Sequence, residues 1–189
     1  MAIVIEKFVE ESIAAKRAFF NAHADLVRQA AERVIAALRS GNKLLLFGNG
    51  GSAADAQHIA AEFVNRYRAD RPALAALALT TDSSVLTSIG NDSSYEEIFS
   101  RQIEALGQPG DVAIAISTSG NSRNVILAAE RARSKGIFTI GLTGRDGGRL
   151  GAAVDLHLHV ANQATARVQE VHILIAHILC EFVEEAFVP

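Results

Sequence analysis

One repeated unit constrains this chain more than any other feature: a short apolar run, a polar loop rich in Gly, Ser and Thr, then a helical stretch. Lys43-Leu44-Leu45-Leu46-Phe47 runs into Gly48-Asn49-Gly50-Gly51-Ser52 and an alanine-rich helix to about Arg66. Leu74 to Leu79 runs into Thr80-Thr81-Asp82. Val112 to Ile116 runs into Ser117-Thr118-Ser119-Gly120-Asn121-Ser122 and a helix to about Lys135, and Ile137 to Leu142 runs into Thr143-Gly144-Arg145-Asp146-Gly147-Gly148. A fifth run, Asp155 to Val160, alternates in character, and a long helix from about Thr165 to Phe187 closes the chain. Strands without a polar side must be covered on both faces. The expectation is an α/β fold, a three-layer αβα sandwich around a five-stranded, mainly parallel sheet. Loops at the strand C-termini are where such sheets hold ligands.

The first 40 residues read as a helical extension of the same domain. Ile5, Phe8, Val9, Ile13 and Phe20 recur near helical spacing and predict a helix over 3–20. A second is predicted from Asp25 to Leu38, ended by Ser40-Gly41-Asn42. A single domain is expected over 1–189, with helices in 1–40 and the α/β core in 43–189. The 189 residues, 49% hydrophobic and 21% charged, exclude a disordered chain. A net charge of −3 argues against a strongly basic nucleic-acid binder. Cys180 stands alone, so no intrachain disulfide can form, which suits a reducing cytoplasm. The start, Met1 to Lys7, has no basic region followed by a long apolar run, so no signal peptide is expected. The most apolar stretch, Val171 to Cys180, is too short to span a bilayer. It predicts a helix buried nearly all round, which a subunit interface would accomplish. Mean hydropathy is +0.19 without any tryptophan, so the apolar content is aliphatic and alanine-rich.

Two loops could carry chemistry. The three glycines of Gly48–Ser52 let backbone approach a ligand, and the helix that follows presents its amides to an anion. The loop matches neither the dinucleotide fingerprint nor the Gly-Lys-Ser/Thr ending of a P-loop, and could serve only as a tight turn. Ser117–Ser122 sets four hydroxyls around a glycine. One hydroxyl would suffice to cap the next helix; four favour a phosphate monoester. Asp55, His58 and Glu62 share one helix face by their spacings of three and four. Gln169 and His177, with His172, are polar residues in an otherwise apolar helix and would be costly to bury unpartnered. Singly, each of these residues reads more simply as core or surface; together with the loops they suggest a site. His157 and His159 are expected to be structural or exposed, and Cys180 a packing residue.

Taken together, Gly48-Asn49-Gly50-Gly51-Ser52-Ala53-Ala54-Asp55-Ala56-Gln57-His58, Glu62, Asn91-Asp92, Ile116 to Ser122 and Arg167-Val168-Gln169-Glu170-Val171-His172 resemble the phosphoheptose isomerases of the sugar isomerase (SIS) superfamily. The resemblance runs in order over almost the whole chain and implies a flavodoxin-like SIS fold. It implies conversion of D-sedoheptulose 7-phosphate to D-glycero-D-manno-heptose 7-phosphate, the step that starts nucleotide-activated heptose synthesis. It implies a homotetramer with active sites between subunits, and neither nucleic-acid nor membrane partners. It implies zinc held by His58, Glu62, Gln169 and His177, with Glu62 and His177 as the acid–base pair. Substrate contacts carry over to Asn49, Gly50, Gly51, Ser52, Glu62, Asn91, Asp92, Ser117, Thr118, Ser119, Ser122 and Gln169. Ala166 stands where some members carry an acid, so any role of that acid is absent here or filled otherwise. A non-catalytic branch of the superfamily binds a phosphosugar or the bacterial replication initiator; the joint presence of Glu62 and His177 favours the enzyme.

Overall fold

The computed structural model describes residues 4–188. Ile3, where the first predicted helix begins, lies outside the described residues. Five parallel strands form one sheet: β1 (Leu44–Gly48), β2 (Ala76–Ala78), β3 (Val112–Ser117), β4 (Phe138–Thr143) and β5 (Leu156–His159), in the order β2-β1-β3-β4-β5. Every residue of β1 and β3 is buried, as continuous apolar runs require when helices cover both faces. Among the described residues every strand pair is parallel, in keeping with the expected sheet. One apolar layer contains Phe47, Phe99, Val125 and Ile137; the other contains Leu44, Leu46, Val168, Val171 and Ile175.

The N-terminal region corrects the sequence reading. One helix, α1 (Ile5–Arg39), replaces the two predicted. Asn21, His23 and Asp25 are poor helix formers, but no Gly or Pro interrupts the segment. Packing carries the helix through: Ala15, Phe19, Val27, Ala30, Ala31 and Val34 are buried along one side, where α1 lies on α7 (Thr165–Phe187). The edge strand β2 is shorter than the predicted run, although Ala75 and Leu79 continue its ladder through Leu44 N–H to Ala75 O and Leu79 N–H to Leu46 O. The remaining helices are α2 (Gly51–Val64), α3 (Ser83–Asp92), α4 (Ser100–Leu106), α5 (Arg123–Ser134) and the short α6 (Leu150–Ala153), with a 3-10 turn at Tyr95–Glu97. Helix α7 is not buried all round in one chain. Val168, Val171, His172, Ile175 and Leu179 are buried, whereas Ile173, Leu174 and Ile178 are half-buried and Phe182 is exposed. Among the described residues, no helix is long and apolar enough to cross a membrane.

Candidate active site

The strand order reverses between β1 and β3: the chain leaves β1 toward β2 on one side and reaches β3 on the other. A crevice at such a switch point is where an open parallel sheet binds its ligand. Both loops singled out from the sequence open there, because Gly48 at the end of β1 pairs with Ile116 near the end of β3.

After β1, Gly50 takes a φ of 57° at the start of α2, a conformation that costs glycine little. A side chain at Gly51 would collide with the Gln169 amide, so the bare backbone is what admits Gln169 of α7 to this loop. Ser52 is buried against Gly48. Asn49 exchanges two hydrogen bonds with Asn124, both at 2.9 Å, and also accepts the Tyr95 hydroxyl at 3.0 Å. Asn124 and Tyr95 had no distinguishing signal in the sequence, since their partner lies in a loop brought close only by the sheet.

After β3, the hydroxyls converge. Ser117 donates to Ser122 at 3.0 Å and lies 3.4 Å from Ser119. Ser122 occupies the N-cap position of α5, yet its side chain makes no capping bond. Capping therefore does not account for the cluster. Thr118 sits half-buried beside it. Gly120 turns with a φ of 66°, and a Cβ there would strike the Gly147 carbonyl. The 144–149 loop is strapped on by Arg149 N–H to Asn121 Oδ1 at 3.1 Å and Leu150 N–H to Gly120 O at 2.8 Å.

Helices α2 and α7 bring the ionisable residues together. His58 Nε2 lies 3.0 Å from His177 Nε2 and 3.7 Å from Glu62 Oε1. The His58 and His177 rings meet edge to face, and the Tyr67 ring lies 5.6 Å from His177, centroid to centroid. Burial holds the Asp55 carboxyl above its ordinary range, opposed by His58 and His177. Two imidazoles and a carboxylate suit zinc, whose tetrahedral ligands at about 2.0–2.2 Å stand about 3.3 Å apart. The separations of 3.0 and 3.7 Å bracket that value. The donor types and these two separations suit zinc, but among the described residues no three His, Cys, Asp or Glu side chains close into a ligand group.

Other predicted residues separate from this centre. Asn91 and Asp92 lie exposed at the end of α3, hydrogen-bonded to each other at 2.8 Å. It is Tyr95, in the segment after them, that reaches Asn49. His172 is buried and bonded to the Thr143 carbonyl at 3.0 Å; burial lowers its pKa to about 4. It pins α7 to β4. His157 and His159 stack on each other and bond to Thr143 Oγ1 and Arg145 O, the structural role expected of them. Burial pushes the Cys180 thiol up to about 12, so it packs rather than attacks.

Comparison with known proteins bears on the fold and the family. The SIS domain family matches residues 7–144. The match ends before α7, so Gln169 and His177 are covered only by full-length relatives. A phosphoheptose isomerase of Roseiflexus sp. (strain RS-1) is 57% identical over 176 residues, 93% of this chain and 89% of the relative. The structure of phosphoheptose isomerase GmhA from Neisseria gonorrhoeae superposes with a TM-score of 0.90 at 45% identity, covering 96% of this chain and 97% of that one. A phosphoheptose isomerase from Francisella tularensis gives 0.92 at 38% identity, with 96% of each chain covered. A shared fold, coverage of more than nine-tenths of the chain and identities of this size lead to one conclusion: the chain belongs to the phosphoheptose isomerases, enzymes of the SIS-domain family.

Proposed function

We propose that this chain interconverts D-sedoheptulose 7-phosphate and D-glycero-D-manno-heptose 7-phosphate through a cis-enediol, a cytoplasmic step that starts nucleotide-activated heptose synthesis for lipopolysaccharide, capsule or S-layer glycans. One observation carries the reading: α2 opens from the glycine loop at the switch point and carries His58 and Glu62 to His177 of α7, whose Gln169 meets that same loop. The Ser117–Ser122 hydroxyls and the amides at the start of α5 hold the phosphate, fixing the far end of the open-chain sugar. Asn49, Gly50, Gly51 and Ser52 shape the cradle with Gln169, and Asn91 and Asp92 flank it. Glu62 removes a proton from C1 of the ketose and, after exchange with solvent, delivers one to C2 of the aldose. His177 moves the proton between the two oxygens. Zinc on His58, Glu62, Gln169 and His177 would polarise the carbonyl as a Lewis acid. Metal analysis tests that ligand set: about one zinc per chain in the wild type and loss in His58→Ala support it, and full activity in a metal-free preparation removes it.

The working unit in this reading is a homotetramer with active sites between subunits. Val4, Ile5, Phe8, Val9 and Ile13 at the start of α1 and Phe182 on α7 are exposed apolar residues that a second copy would cover. A cavity of about 630 Å³ between α1 and the 159–167 segment, lined by Ala14, Ala18, Phe19, His23 and Arg167, offers a groove beside them. Incubation with sedoheptulose 7-phosphate in D2O is the functional test. An aldose carrying deuterium at C2 is expected, and binding without product would return the chain to the non-catalytic alternative.

A further inference from the structure

Seven residues beyond His177 on α7, Glu184 is buried, and its carboxylate is filled by main-chain amides. One oxygen accepts Arg68 N–H at 2.9 Å and Ala69 N–H at 2.8 Å; the other accepts Tyr67 N–H and Arg68 N–H, both at 3.0 Å. Arg71, with only 2% of its side chain exposed, places Nε 3.8 Å from the same carboxylate. Its guanidinium then turns to α2, donating to Glu62 O at 2.6 Å and Phe63 O at 2.9 Å, and to Pro72 O at 2.9 Å. Burial pushes the Glu184 carboxyl up, but the three amides and Arg71 outweigh it and hold it below the ordinary carboxylate range.

The location of this clamp matters. Helix α2 ends at Val64, so the Glu62 and Phe63 carbonyls belong to the last turn, where main-chain acceptors lack helical partners and ends fray. Glu62 rides on that turn. Tyr67, held by its own amide to Glu184, lays its ring on His177. We infer that Glu184 and Arg71 are positioning residues for the Glu62–His177 pair, fixing segment 67–71 so that the end of α2 and the Tyr67 ring are set against α7. The inference rests on the reading in which Glu62 and His177 carry the proton transfers, and neither clamp residue touches substrate.

Glu184→Gln keeps the shape but turns an amide NH2 toward main-chain donors and leaves Arg71 without a counter-charge. Arg71→Lys keeps the charge and loses the fork that spans two carbonyls. In both variants, below their melting transitions, kcat is expected to fall tenfold or more while KM stays within about twofold, because the Ser/Thr loop lies on β3 and α5. The His177 ring-proton signal is expected to move as the Tyr67 ring departs. A clamp that only adds stability would lower the melting temperature and leave both readouts of the folded protein alone. A kcat within twofold of wild type, or an unmoved His177 signal, overturns the inference. Should Glu184→Gln not fold, Arg71→Lys together with Tyr67→Leu, which removes only the ring, decides by the same criteria. If the wild type makes no aldose, the functional reading fails by itself, and the His177 signal judges the positioning: movement supports it, no movement rejects it.

Discussion

At the scale of single residues, the account divides the polar side chains between chemistry, substrate holding and architecture. Glu62→Gln removes the proposed base and is expected to cut turnover by roughly two to four orders of magnitude with KM little changed; near-wild-type turnover would reject the assignment. Ser119→Ala removes one of the proposed phosphate contacts and should raise KM roughly tenfold or more, the scale of a lost hydrogen bond to a charged group. Steady-state kinetics on both variants separates the two roles. His172 makes a prediction about stability. Its folded pKa of about 4 lies below the unfolded value of 6.5. Protons therefore favour the unfolded chain, and the stabilisation present above pH 6.5 is lost as pH falls toward 4. Over that window the loss is on the order of 3 kcal/mol. Melting temperature against pH should fall steeply across it in the wild type and less steeply in His172→Gln; equal slopes would point to other groups.

At the scale of elements, the βα units were legible because a strand buried on both faces has no polar positions and its loop does. The place of the two loops was legible for the same reason: glycines and hydroxyls follow directly on the apolar runs of β1 and β3. The break predicted inside α1 was not real, because Asn21, His23 and Asp25 register local propensity, while burial of Phe19 and Val27 on α7 decides the matter. The Asn49–Asn124 exchange, the Tyr95 contact and the Glu184 clamp were not legible, since each joins segments far apart in sequence. Gly51 tests how α2 and α7 meet. Its first-turn position tolerates alanine in backbone terms, but the added methyl displaces Gln169. Gly51→Ala should keep a melting temperature near that of the wild type and lower turnover roughly tenfold to a hundredfold. Unchanged turnover would mean that Gln169 is not needed where it stands.

At the scale of the whole molecule, the aliphatic content behind the mean hydropathy of +0.19 has two places. Much of it fills the two layers against the sheet; some stays exposed at the start of α1 and on α7. The second fraction is what the proposed tetramer would bury. Light scattering behind size exclusion should give about 80 kDa, four times the 20.1 kDa chain, and a monodisperse monomer at micromolar concentration would contradict it. The sheet order, the two loops and the His58–Glu62–His177 cluster are the parts that the proposed isomerisation of a seven-carbon ketose phosphate would use. NMR of the purified protein with sedoheptulose 7-phosphate in D2O measures that directly. The account predicts the C2-deuterated aldose 7-phosphate from wild type and almost none from Glu62→Gln. Wild-type protein that binds the ketose phosphate and forms no aldose would contradict it.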